Sequence, residues 1–367
     1  MLSGDTTVVR GKRGAFYNTL SELSLHWDNI DILTSYVPDV SNYKCFDNVN
    51  FYCSNYAKIL QPFFIWKQGS ALAAIRKYDL MVSHDYGWFL NGMGAKWLAS
   101  NIEIPYISEI HHVDGYPRAA NLRAKFQPWL TRFYIKQAIP HVLGFRITNS
   151  VELKSLLTNW GVPLDQILLL YSLYLDFDVF RPISVPIEYD AIFVGRLIDN
   201  KAPHLFLDGV AKAADQKKDI RVLIVGQGPL VSGLHQRTIK LGLSQNVEFK
   251  DWVSNSTELA NYYRRSRCLV CTSYSEGGPR VVAEALACGT PIITTRVGLA
   301  NELIKDGVNG FFIDWSVDML ENRLMQIISD TNLRDRMASE APRSVQSYEK
   351  DRVMSEYVSC YKQLISQ

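Results

Sequence analysis

Most features that would fix the class of this 367-residue chain at once are scarce or missing. Six cysteines are too few to staple a chain of this length, which excludes a disulfide scaffold. No uninterrupted apolar run approaches the ~18 residues of a membrane-spanning helix. Charge is balanced, with 39 Lys and Arg against 37 Asp and Glu, so no basic excess points to nucleic acid as the main partner. There is no low-complexity tract and no repeat at solenoid spacing. Met1-Leu-Ser-Gly-Asp5 lacks the charged and apolar regions of a signal peptide, and it reads as the tail of a strand whose beginning lies upstream. What is present is ordinary: 47% hydrophobic and 21% charged residues, the composition of a globular and not a disordered chain. The length suits two cores of about 180 residues each. Together these features read as a soluble cytoplasmic enzyme.

Short apolar runs alternate with longer amphipathic segments. Strands are expected at Ile30–Thr34, Val49–Cys53, Leu80–His84, Pro105–Ile110, Leu143–Thr148 and Ile167–Tyr171. A second series follows at Ala191–Gly195, Val222–Gly226, Val247–Phe249, Cys268–Thr272, Pro291–Thr295 and Gly310–Ile313. Continuous apolar strands separated by helical segments imply parallel sheets covered on both faces. The fold class is therefore α/β, with two doubly wound Rossmann-like domains. The seam is expected at Arg181–Pro186, where two prolines interrupt the pattern. That gives a first domain over 1–183, a second over 187–348, and a helix within 349–367 that caps the second domain or crosses back to the first.

Three strand-to-helix turns carry the chemistry. Gly195-Arg-Leu-Ile-Asp-Asn-Lys201 places two permanent cations, Arg196 and Lys201, where helix N-termini already favour anions. Gly226 and Gly228, in Val225-Gly-Gln-Gly-Pro229, allow a close backbone approach but lack the third glycine of a dinucleotide fingerprint. The most specific string is Ser275-Glu-Gly-Gly-Pro-Arg-Val-Val-Ala-Glu284, whose acids Glu276 and Glu284 lie on either side of a helix start. They are separated by enough chain to meet different parts of one elongated ligand.

This last string, with GRLIDNK, LIVGQGPL and NVEFKDWV before it in the same order, resembles the signature of retaining GT-B glycosyltransferases of family 4, the glycosyltransferase group 1. The resemblance implies two domains facing across a cleft, the second holding a nucleotide-diphosphate sugar and the first an acceptor glycan or lipid-linked sugar. It implies that Arg196 and Lys201 neutralise the departing diphosphate and that Glu276 contacts sugar hydroxyls with help from Gly277 and Gly278. Glu284 would accept from the ribose, and the stretch around Trp252 and Val253 would line the base. Gly11 and Gly14 match a glycine-rich phosphate loop more loosely than the usual adjacent pair, and within Ile110-His111-His112 the resemblance favours His111 as a sugar contact. The acceptor hydroxyl would be deprotonated by the departing phosphate, with no cofactor and no metal required. A non-hydrolysing nucleotide-sugar epimerase on the same scaffold, and a silent partner subunit, are the alternatives.

Two features stand outside that resemblance. Cys268-Leu-Val-Cys271 has redox spacing but lies in an apolar strand, which favours burial. Residues 116–146 carry Arg118, Arg123, Lys125, Arg132, Lys136 and Arg146 without one acid, interleaved with Phe126, Trp129, Phe133 and Tyr134. Such a mixture suits peripheral docking to the inner face of a membrane, and equally a partly exposed helix beside the cleft. Residues 55–78 are also acid-free, with Phe63, Phe64 and Trp66.

Overall fold

The computed structural model describes residues 1–251, 253 and 255–366. Runs such as Ala191-Ile-Phe-Val and Val222-Leu-Ile-Val are apolar at every position, so both faces of those strands need cover, and every residue in them is buried. Two sheets result. The first contains β1 (Leu2–Ser3), β2 (Ile30–Thr34), β3 (Asn42–Phe46), β4 (Val49–Cys53), β5 (Met81–His84), β6 (Tyr106–Ile110), β7 (Gly144–Ile147) and β8 (Ile167–Leu169), in the spatial order β3-β4-β2-β1-β5-β6-β7-β8. All neighbours are parallel except β3, which returns antiparallel against β4. The sequence pattern did not mark β3 as a strand, because Asn42-Tyr-Lys-Cys-Phe46 is not an apolar run. Its place at the sheet edge, largely unburied, removes the need for one.

The second sheet is wholly parallel: β9 (Ala191–Val194), β10 (Val222–Val225), β11 (Val247–Lys250), β12 (Leu269–Cys271), β13 (Ile292–Thr295) and β14 (Gly310–Ile313), ordered β11-β10-β9-β12-β13-β14. In both sheets the chain winds outward from the middle in one direction and then the other. The reversal falls between β1 and β5 in the first and between β9 and β12 in the second, the place where such sheets open a crevice at their carboxyl ends.

Helices cover all four faces. In the first domain α1 (Ala15–Leu23) lies on one side, while α2 (Gln61–Ile75), α3 (Leu90–Ala99), α4 (Leu122–Ala138) and α5 (Leu153–Asn159) cover the other. In the second, α6 (Pro203–Gln216) and α7 (Val231–Lys240) pack on the face opposite to α8 (Ser256–Arg264), α9 (Arg280–Ala287) and α10 (Ala300–Leu303). α11 (Val317–Ser329) and α12 (Thr331–Glu340) join α6 and α7.

The last helix, α13 (Lys350–Ile365), begins at Glu349, whose carboxylate accepts the Arg352 N–H at 3.0 Å, and crosses back to the first domain. The reason is visible in the core. The short α1 alone leaves part of one sheet face bare, and Met354, Tyr357, Val358 and Tyr361 complete it against Ile32, Val82 and Ile107. Before the linker, Leu173, Leu175 and Phe180 are already buried in the core of the second domain. In packing terms the first domain therefore ends earlier than the expected residue 183, because this segment is apolar enough to be claimed by the neighbouring core.

Candidate active site between the two domains

The loops after β9 and β12 are tied to each other. Asn200 Nδ2 donates to the Ser275 carbonyl at 2.8 Å, Ser275 Oγ donates to Asn200 Oδ1 at 3.1 Å, and Thr272 Oγ1 donates to the Lys201 carbonyl at 2.9 Å. This stitching sets Lys201 Nζ against the Glu276 carboxylate as an ion pair, both side chains mostly buried. The glycines nearby have steric reasons. A Cβ on Gly226 would collide with the Gly195 carbonyl oxygen, and one on Gly228 with that of Leu197, so the G-x-G turn lets the loops after β9 and β10 lie against each other.

Glu284, on α9, is buried and accepts from the Tyr263 hydroxyl at 2.9 Å. Burial raises its carboxyl pKa, with Arg280 pulling the other way. Arg196 is exposed on the loop after β9. Of the four expected donor-site groups, Lys201 and Glu276 are in direct contact, Glu284 is buried on α9 with Tyr263 as its partner, and Arg196 stays in solvent. Val253 is half-buried against the core of the second domain, and Trp252 lies outside the described residues.

Opposite stands the first domain. Glu109, at the end of β6, is 1% exposed and is the acceptor for five side chains. Its Oε2 takes His111 Nε2 at 3.0 Å and His84 Nε2 at 3.2 Å; its Oε1 takes Arg146 at 3.0 Å, Tyr357 at 3.0 Å and Tyr361 at 2.8 Å. Burial alone would push this carboxyl up, but Arg146 and the two imidazoles outweigh it and hold it well below the usual range. Burial pushes His84 down to about 4, so at neutral pH it donates as a neutral ring and its Nδ1 accepts from Ser3 Oγ. A carboxylate can only accept, which fixes Nε2 as the donor nitrogen of His111 as well. His111 is nearly half exposed, held from behind and open in front.

The two sides meet. A Cβ on Gly277 would collide with the His111 carbonyl oxygen, and Asn149 Nδ2 donates to the Gly277 carbonyl at 3.1 Å. Gly298 N donates to Glu152 at 3.0 Å, and Tyr171 donates to Glu302 at 3.1 Å. Arg118 crosses from the first domain to lie over Trp315, 5.0 Å from the ring centre. His112 also faces the second domain: burial lowers its pKa while the charges of Glu276 and Asp114 oppose the drop. Both histidines of the pair therefore border the Lys201–Glu276 loops. Gly11 and Gly14 are exposed with open space around them, and Gly14 precedes α1, whose Phe16 packs edge-on against His84 at 5.5 Å. A cavity of about 590 Å³ opens elsewhere, between Trp27, Asp31, Arg76 and Tyr78, and none of the expected site residues lines it.

Residues 182–344 match the family described as glycosyl transferases group 1. The second domain is of the group 1 glycosyltransferase type. Over 255 residues the chain is 30% identical to the D-inositol 3-phosphate glycosyltransferase of Mycolicibacterium smegmatis, covering 65% of this chain and 56% of that protein. It spans about half the length of the curated inositol phosphate enzymes it matches. Among solved structures, sucrose-phosphate synthase of Thermosynechococcus elongatus superposes with a TM-score of 0.78 at 18% identity, over 99% of this chain and 94% of the other. HepE of Anabaena in complex with UDP-glucose does so with a TM-score of 0.75 at 19% identity, over 100% and 98%. The whole-chain fold is the two-domain GT-B arrangement of these glycosyltransferases.

In the glycosyltransferase domain the string from Ser275 to Glu284 was legible from sequence. The Tyr263 partner of Glu284 was not, nor was the Glu109 centre behind His111. The period-two alternation of β6 could have shown that Glu109 faces away from Ser108 and Ile110, but not what it meets.

Proposed function

We propose that the chain transfers a sugar from a nucleotide-diphosphate sugar to an acceptor hydroxyl with retention at the anomeric carbon. The observation that carries this reading is the Lys201–Glu276 pair, set at the strand-order reversal of the second domain and facing the His111–His112 turn of the first. Lys201, already anchored beside the loop N–H groups of Gly277 and Gly278, meets the diphosphate as charge gathers on it, with Arg196 swinging in from solvent as a second cation. Fixed charge aimed at a leaving group lowers the barrier because it needs no reorganisation at the moment of reaction. Glu276 then turns from Lys201 to the sugar hydroxyls. Glu284, steadied by Tyr263, offers its other oxygen to the ribose, and His111, its Nε2 held by Glu109, contacts the sugar from the opposite wall. A phosphate oxygen of the departing diphosphate takes the proton of the acceptor hydroxyl, so no separate base is required. The contact of the two domains excludes water that would otherwise hydrolyse the donor.

The similarity to HepE, solved with UDP-glucose, and to a D-inositol 3-phosphate glycosyltransferase makes UDP-glucose the first donor to try and an inositol phosphate the first acceptor. A thermal-shift screen of nucleotide sugars, followed by nucleoside diphosphate release with acceptor and NMR of the product's anomeric configuration, tests the reading. A melting temperature raised by one donor, with release only in the presence of acceptor and retained configuration, is the expected result. An isomerised donor without acceptor would assign the chain to the epimerases, and no donor binding at all would make it a silent subunit.

A further inference from the structure

On one side of the first sheet three helices lie in contact. α2 and α3 approach through glycine, since a Cβ on Gly94 would press into Ile65. α3 and α4 join where the rings of Phe89 and Tyr134 stack at 4.5 Å and Gln127 donates to the Gly87 carbonyl. The outer faces of these helices invert the usual pattern, in which a surface helix turns polar groups to water. On α4, capped by Asn121, Leu122, Phe126, Trp129 and Phe133 fall on one line at i, i+4, i+7 and i+11 and are 73, 72, 69 and 55% exposed. Met93 and Trp97 are exposed one turn apart on α3, and Phe63 and Trp66 on α2. The charge is of one sign. Lys67, Lys96, Arg123, Lys125, Arg132 and Lys136 belong to these helices, which contain no Asp or Glu.

From this we infer that the α2–α4 face docks on an anionic lipid bilayer, with its aromatic residues in the headgroup layer and its Lys and Arg on lipid phosphates. Trp and Phe beside Lys and Arg is the combination that binds a membrane surface without spanning it. Among the described residues no helix is long and apolar enough to cross one. A second copy of this chain is a poor occupant, since a two-fold contact would bring six cations against six. The face borders the cleft: α4 follows directly on Arg118, which reaches over to Trp315, and on the His111–His112 turn. Resting on the transfer reading above, this position means that the acceptor is carried on a lipid and enters the cleft from the bilayer side.

Docking needs neither donor nor acceptor, so its test is independent of transfer. The full chain is floated with phosphatidylglycerol–phosphatidylcholine vesicles and with phosphatidylcholine vesicles, at low and high salt, with tryptophan emission recorded. Binding to the anionic vesicles at low salt, weakened by salt and accompanied by a blue shift, is expected. Arg132→Gln with Lys136→Gln lowers the partition roughly five-fold per charge removed. Phe126→Ser with Trp129→Ser removes most of the blue shift. Unchanged circular dichroism and melting temperature for both variants show that only the surface was altered. No binding to anionic vesicles, equal binding to neutral ones, or a dimer that Phe126→Ser with Trp129→Ser dissociates in sedimentation velocity would each overturn the inference, the last assigning the face to a second copy.

Discussion

The two walls of the cleft are built in different ways. On the second domain, Lys201 and Glu276 stand on two short loops that hydrogen bond to each other, so these two side chains are placed by residues within a few positions of themselves. On the first, His111 is placed by Glu109, and Glu109 by Arg146 from β7, His84 from β5 and two tyrosines from the far end of the chain. The wall on the second domain can change one contact at a time. The wall on the first domain is a buried charge with five partners, in which losing any one leaves the others unbalanced, and it ties the stability of that domain to the return of α13. The difference teaches that one cleft can combine a wall of locally stitched loops with a wall whose geometry is set by the fold.

Glu109→Gln tests that contrast most severely. It leaves the Arg146 guanidinium buried without a counter-charge, a defect that costs about 3–5 kcal/mol. Urea unfolding should show a loss of that size, with α13 detaching first in hydrogen exchange. The pH dependence has a fixed sign. Because the carboxyl is held well below its ordinary 4.5 in the folded chain, its contribution is complete above 4.5 and disappears as pH falls below it. The parent should therefore lose stability steeply in acid, and the variant should show a flatter acid limb. An unfolding free energy unchanged by Glu109→Gln would erase the distinction between the walls.

On the other wall the loss should appear in activity and not in the fold. In the proposed mechanism Lys201→Ala removes a fixed cation from the leaving group, and Glu276→Ala removes the sugar contact. Each should lower the transfer rate by about 10²–10³, the range found when one preorganised electrostatic contact is deleted. Circular dichroism should remain that of the parent. Transfer within a few-fold of the parent for both variants would show that the pair is structural.

Legibility followed the same division. Most strands of the second domain were readable because a buried parallel strand must be largely apolar. The half-buried edge strand β11, Val247-Glu-Phe-Lys250, was readable from Val247 and Phe249 alone. The motif from Ser275 to Glu284 was readable because its chemistry is local. β3 escaped, being an edge strand without an apolar run, whereas the two-residue β1 was legible in Met1-Leu-Ser as the tail of a strand. Glu109 escaped for a different reason. A lone acid inside Tyr106-Ile-Ser-Glu-Ile110 gives no sign of its partners, which lie 25 positions upstream, 37 downstream and about 250 away, in His84, Arg146, Tyr357 and Tyr361. The crossing of α13 was half readable: its apolar spacing announced a helix, while the bare sheet face that attracts it exists only once the first domain has folded.

The smallest effect tests whether the walls are coupled. Glu152, beside α5, accepts the Gly298 N–H through one oxygen, and its other oxygen is buried without a hydrogen-bond partner among the described residues. Burial raises its pKa to about 7, against the pull of that N–H and with a further push from Glu276. A carboxyl whose pKa is higher in the closed arrangement than its ordinary 4.5 takes up a proton as the domains meet. Closure is thus most favoured below about 4.5, weakens as pH rises towards 7, and is constant above. Glu152→Gln holds the neutral form at every pH. It should leave the domain contact tighter than in the parent above pH 7 and remove a linkage of at most about one proton per molecule. Small-angle scattering across that interval checks both: a radius of gyration that rises with pH in the parent and stays flat in the variant couples the walls through this residue, and parallel curves would show that they meet without it.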